Sequence, residues 1–223
     1  MNKQTSQRGF SLIELLIAMT VTIVIAGIAS TLVAQAFRLR SREDVRSDAI
    51  ADAQRALNIV SREIANSGFG LPDNGLVPGD TGPSSIRIRA NLNAYTRDDD
   101  GNAVAGAGEI IDADEDLKYS MYNDDATNRH YLVRFDVTRT GRDGITVLAN
   151  RLDTFQIQYF DGNGNVLDLV TNPADAQLAW KVRLTVGVVL PAEGVPGGPG
   201  YQPESTMNIT SDVVLRNTVQ ITY

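Results

Sequence analysis

Between residues 10 and 37 the only formally charged side chain is Glu14, and residues 15–34 carry no charge at all. At about 1.5 Å per helical residue, twenty such residues span roughly 30 Å, the thickness of a bilayer core. Beyond Arg38 the pattern changes. Ile50, Ala53, Leu57, Val60 and Ile64 fall on one stripe of a 3.6-residue period, with Arg46, Asp48, Asp52, Arg55, Arg62 and Glu63 on the opposite face. Ser67-Gly68-Phe-Gly70-Leu-Pro72 then supplies a C-terminal glycine and a proline stop. The pattern predicts one helix over about 10–66, apolar in its first half and amphipathic in its second. The competing reading is two helices broken near residues 38–41.

From Ile86 onward the period becomes two. Tyr131, Val133, Phe135 and Val137 alternate against Leu132, Arg134, Asp136 and Thr138; Phe155, Ile157 and Tyr159 alternate against Gln156 and Gln158. Trp180, Val182, Leu184, Val186, Val188 and Leu190 form a longer apolar face, and residues 207–223 read as a last strand, interrupted near Arg216-Asn217. Asp161-Gly-Asn-Gly-Asn165 separates two strand-like runs as a hairpin turn. The fold class that follows is α+β: a long N-terminal helix whose first half spans a membrane, with an antiparallel β-sheet head on its second half. Two stretches rich in Pro and Gly, 71–85 and 191–205, are read as surface loops because strands resume after each.

Composition narrows the chemistry. The net charge of −7 disfavours a polyanionic partner, so no nucleic acid is expected. The absence of cysteine excludes disulfides and thiolate chemistry, and the single histidine, His130, begins a strand. No side-chain arrangement with a general base is legible, so an enzyme is not expected.

Glu14 needs its own explanation. An ionised carboxylate near a helix end in lipid costs about 1–3 kcal/mol unless a cation answers it. A cut after Gly9 would place a free α-ammonium on Phe10, one turn from Glu14 and within reach of a neighbouring copy. The stretch Gly9-Phe10-Ser-Leu-Ile-Glu14, preceded by Lys3 and Arg8 and followed by the apolar run, resembles the type IV prepilin signature. The resemblance implies a leader (1–9) removed by a membrane-embedded prepilin peptidase. It also implies methylation of the new Phe10 amine, a transmembrane and filament-core helix (10–37), its amphipathic continuation (38–70) and a β-rich head (71–223). Counting Lys and Arg does not settle orientation, because Arg38, Arg40 and Arg42 flank the far end of the span. The resemblance implies an inner-membrane protein with an exported, periplasmic head that passes into a surface pilus. Major pilins commonly carry a proline in this segment; here no proline precedes Pro72.

The later segments ALNIVSREIANSGFG (56–70), VLANRLDTFQIQYFDGNGN (147–165) and VLRNT (214–218) resemble PilW-like minor pilins and are shared in part with the J-type pseudopilin of type II secretion. The partners implied are other pilin subunits, the prepilin peptidase, the inner-membrane assembly platform and membrane lipid, with Glu14 acting in assembly. A membrane-anchored adhesin or ligand-binding module is the alternative of a different class.

No cofactor is expected. Asp98 and Asp100, and separately Asp161, Asn163 and Asn165, are weak metal candidates: the first group departs from the spacing of a helix–loop–helix calcium site, and Val166 stands where the second would need glycine. Asp112, Asp114, Glu115 and Asp116 form a further acidic cluster, read as solvated surface.

Overall fold

The computed structural model describes residues 10–93, 112–125, 129–150, 152–198 and 200–217. Helix α1 runs unbroken over Leu12–Ala65, so the two-helix reading does not hold. It ends where expected: Gly68 and Gly70 adopt positive φ just beyond it.

Among the described residues eight strands follow: β1 (Ser85–Arg89), β2 (Asp116–Asp124), β3 (Arg129–Asp136), β4 (Ile145–Asn150), β5 (Leu152–Phe160), β6 (Val166–Leu167), β7 (Lys181–Leu190) and β8 (Ser205–Val214). They form two four-stranded antiparallel sheets, ordered β1-β2-β3-β4 and β6-β5-β7-β8. The chain divides into two compact units: the N-terminal segment through Val45 with Ala192–Pro203, and Arg46–Pro191 with Glu204–Tyr223.

In the larger unit, Ala49, Ala53, Ala56, Leu57, Val60 and Ile64 of α1 are buried. They share one core with Ile86, Ile88, Leu117, Tyr119 and Leu132 of the first sheet and Phe155, Ile157, Tyr159, Val182, Leu184, Val186 and Val188 of the second. Three of the six buried helical residues are alanines, and each large side chain removed from water contributes about 1.5–3 kcal/mol. Tyr159 is buried too; its hydroxyl donates to the Gly82 carbonyl (3.0 Å), and burial pushes its pKa upward.

Two expectations change. Residues 71–85 are not a loop lying on the surface. Leu76 and Asn74 are buried, Ser67 Oγ donates to the Asn74 carbonyl (2.6 Å), and Asn74 Nδ2 donates to the carbonyls of Ala176 (2.8 Å) and Ala179 (3.2 Å). Gly75, at φ +74°, lets this loop pass where a Cβ would run into the Gly68 amide and the Arg89 carbonyl. Second, the fully buried apolar residue of β3 is Leu132, on the same face as Arg134 and Asp136. Tyr131, Val133 and Phe135 lie on the other face, half-buried, opposite the exposed Tyr122, Val147 and Ile145. Alternation identifies an apolar face but not the direction in which it points. Here the inward row carries charges because they are paired.

In the smaller unit, Glu193 and Gln202 exchange backbone hydrogen bonds of 2.9 Å, closing the Pro/Gly-rich loop. Arg42 donates to Gln202 Oε1 (3.2 Å) and to the Pro203 carbonyl (2.7 Å), so this arginine holds a loop as well as marking the end of the apolar run.

Candidate assembly helix

The first half of α1 is long and apolar enough to cross a membrane, and none of that span is buried. Fifteen large apolar side chains between Phe10 and Phe37 are each 51–87% exposed, and they face every direction around the helix. At about 1.5–3 kcal/mol apiece, leaving them in water would outweigh the ~5–15 kcal/mol that holds a typical domain together. A helix apolar all round belongs in lipid or among other helices.

Four hydroxyls inside the span are satisfied by the helix itself. Thr20 Oγ1 donates to the Ile17 carbonyl (2.8 Å), Thr22 Oγ1 to Ala18 (2.7 Å), Ser30 Oγ to Ala26 (2.8 Å) and Thr31 Oγ1 to Ile28 (2.7 Å). Each hydroxyl uses a carbonyl one turn back, the arrangement that lets Ser and Thr sit in hydrocarbon. Glu14 differs. It lies in the first turn of α1, where the helix dipole favours an anion, and it is exposed with no cation beside it among the described residues. Phe10, four positions earlier, is 83% exposed. Gly9, Lys3 and Arg8 lie outside the described residues.

Asp98 and Asp100 also fall outside the described residues. Asp161, Asn163 and Asn165 come together in the β5–β6 turn, where Asp161 Oδ1 accepts from the backbone amides of Asn163 (2.9 Å) and Asn165 (2.8 Å), and Oδ2 from Asn165 Nδ2 (2.9 Å). The Asn165 side chain and backbone hold the Asp161 carboxyl below its ordinary range. This carboxylate is committed to closing its own turn. Among the described residues, no three carboxylates or imidazoles gather closely enough to hold a metal between them.

The acidic cluster at 112–116 is where the surface expectation fails. Glu115 and Asp116 are both 3% exposed. Asp116 Oδ1 and Oδ2 accept from Arg87 Nε (2.7 Å) and NH2 (2.8 Å), and Oδ2 also from Arg89 Nε (2.9 Å). Asp80 bridges Arg87 NH1 (2.6 Å) and Lys118 Nζ (2.9 Å). Burial pushes the Asp116 carboxyl up, but Arg87 and Arg89 more than offset it and hold the group below its usual range. A second network links Glu63 of α1 to Arg134 (3.1 Å), Arg134 to Asp114 (2.7 Å), and Asp114 and Asp136 to Arg139 (3.3 and 3.0 Å). The legible signal was the Ile86-Arg-Ile-Arg89 alternation: arginines on a strand need carboxylate partners on its neighbour.

Residues 4–33 match the family model described as the prokaryotic N-terminal methylation motif. No curated protein matches the chain. The motif, carried on an exposed apolar helix that leads into an antiparallel-sheet head, supports a type IV pilin-like or pseudopilin-like protein, and a leader of this kind implies prepilin peptidase processing and interaction with other pilins.

Proposed function

We propose that this chain is a minor type IV pilin of the PilW-like group, acting in assembly or initiation of the filament or at its tip. The leader, residues 1–9, is cut between Gly9 and Phe10, and the new amine on Phe10 is methylated. The mature chain starts in the inner membrane with its head on the periplasmic side, engages the assembly platform and enters the pilus. There the apolar span (10–37) packs against the same segment of other pilins, and Glu14 pairs with a neighbour's Phe10 ammonium. Apolar burial supplies the affinity; the ion pair sets the register, since a lone carboxylate in hydrocarbon is tolerated only where a cation meets it.

The observation that carries this reading is the solitary Glu14 in the first turn of a helix whose fifteen large apolar side chains are uncovered on all sides, within a segment matching the methylation motif. The test is mass spectrometry of the N-terminal peptide from the native host. A chain beginning at Phe10 and heavier by one methyl group is expected. A chain still beginning at Met1 would make the helix a plain anchor and overturn the proposal.

A further inference from the structure

The chain leaving β1 meets the chain entering β2 in a tight junction. The Ala90 amide donates to the Glu115 carbonyl (3.0 Å), and the Glu115 amide to the Asp112 carbonyl (3.2 Å). The Leu92 amide donates to Glu115 Oε1 (2.8 Å), and Asn93 Nδ2 to Asp112 Oδ2 (2.8 Å), which also fixes which end of the Asn93 amide is oxygen. After these bonds three side-chain atoms remain buried without a partner: Glu115 Oε2, Asn91 Oδ1 and Asn93 Oδ1. All three are oxygens that accept. Asn91, like Glu115, is 3% exposed.

Leaving a carboxylate oxygen buried and unpaired costs several kcal/mol. Among the described residues Asp112 and Glu115 take part in no ion pair, and Arg134, which lines a cleft with Glu115, is held by Glu63 and Asp114. That cleft, of about 270 Å³, is also lined by Leu92 and Asp114. Among the described residues, the side-chain groups left over at this junction are acceptor oxygens that lack a donor.

We propose that this junction binds a calcium ion through Glu115, Asn91, Asn93 and Asp112. Carboxylate and amide oxygens are the ligands a hard cation takes, and calcium accepts irregular oxygen sets that the smaller magnesium ion does not. The site would pin the entry to β2 to the exit of β1, beside the buried Asp116 pair. It stands apart from the assembly reading and holds whether or not the chain enters a filament.

The test uses the full chain in detergent micelles at neutral pH, with Ca²⁺ or EGTA as the only variable. Ca²⁺ is expected to raise the unfolding midpoint, with half-saturation at about 10⁻⁴–10⁻³ M, as in extracellular calcium modules, and Tb³⁺ is expected to show saturable luminescence. Glu115→Gln should abolish both responses and melt no lower than the parent in EGTA, because it removes an uncompensated charge. Asp161→Asn, in the β5–β6 turn, should keep both. Asn93→Ala, which changes no charge, should weaken half-saturation about tenfold and serves if the glutamine variant does not fold. A parent chain that neither binds Tb³⁺ nor melts higher in Ca²⁺ would overturn the proposal, as would an Asn93→Ala variant that responds like the parent.

Discussion

Arg87 grips Asp116 at two points, Nε to Oδ1 at 2.7 Å and NH2 to Oδ2 at 2.8 Å, across the β1–β2 pairing. The fork geometry matches a carboxylate, and Arg89 adds a third bond. Removing the acid would leave two arginines facing a buried space. Asp116→Ala is therefore expected to destabilise the head by about 3 kcal/mol, measured by denaturant unfolding, whereas Asp52→Ala, whose Arg55 partner is exposed, should cost under about 1 kcal/mol.

The same pair sets an acid limit. Asp116, Asp80 and Asp136 all have folded-state pKa values below the ordinary 3.8. A depressed folded pKa contributes stability that is fully present above the unfolded pKa and is lost as pH falls through the folded one. Head stability should therefore be insensitive to these groups near neutrality and fall below about pH 4. In Asp116→Asn the unfolding free energy should be lower at neutral pH and decline less steeply below that point; an unchanged slope would remove Asp116 from the account.

The two halves of α1 should answer differently to the same substitution. Ile64 is fully buried in the head's core, so Ile64→Ala should cost about 2–5 kcal/mol in head unfolding. Ile17 is more than half exposed, and Ile17→Ala should leave head unfolding unchanged. Equal effects would contradict the division of labour along the helix.

Gly75 provides a backbone test. Its φ of +74° and the crowding by Gly68 and Arg89 backbone atoms leave no room for a side chain. Gly75→Ala should destabilise by about 2 kcal/mol or more, while Gly79→Ala, at a similar φ but in open space, should cost only the conformational part.

Much of this was legible along the chain. The unbroken apolar run and the Ala53, Leu57, Val60, Ile64 stripe are local signals, readable because helix periodicity needs only neighbours within a turn. The β7 face from Val182 to Val188 is equally plain, since all four residues point inward. What local pattern does not carry is partner and layer. That β1 to β4 form a separate sheet from β5 to β8 depends on long-range pairing. Asp116 reads as a surface residue until Arg87 and Arg89 are brought across from β1, and the alternation of Tyr131, Val133 and Phe135 hides the fact that Leu132 is the residue facing the core. Residues 71–85 looked like a surface loop because Pro and Gly dominate them. Their burial comes from Asn74, whose amide reaches carbonyls a hundred residues later.

Incorporation of Glu14 variants into filaments tests the central claim most directly. The parent, Glu14→Gln and Glu14→Ala are expressed at matched membrane levels in the native host, and the amount in sheared filaments is measured against the total. Both variants are expected to remain in the membrane and to enter filaments at least about tenfold less than the parent, the loss equivalent to about 1.4 kcal/mol. Incorporation of Glu14→Ala at the parent's level would contradict the pairing of this carboxylate with a neighbouring amine.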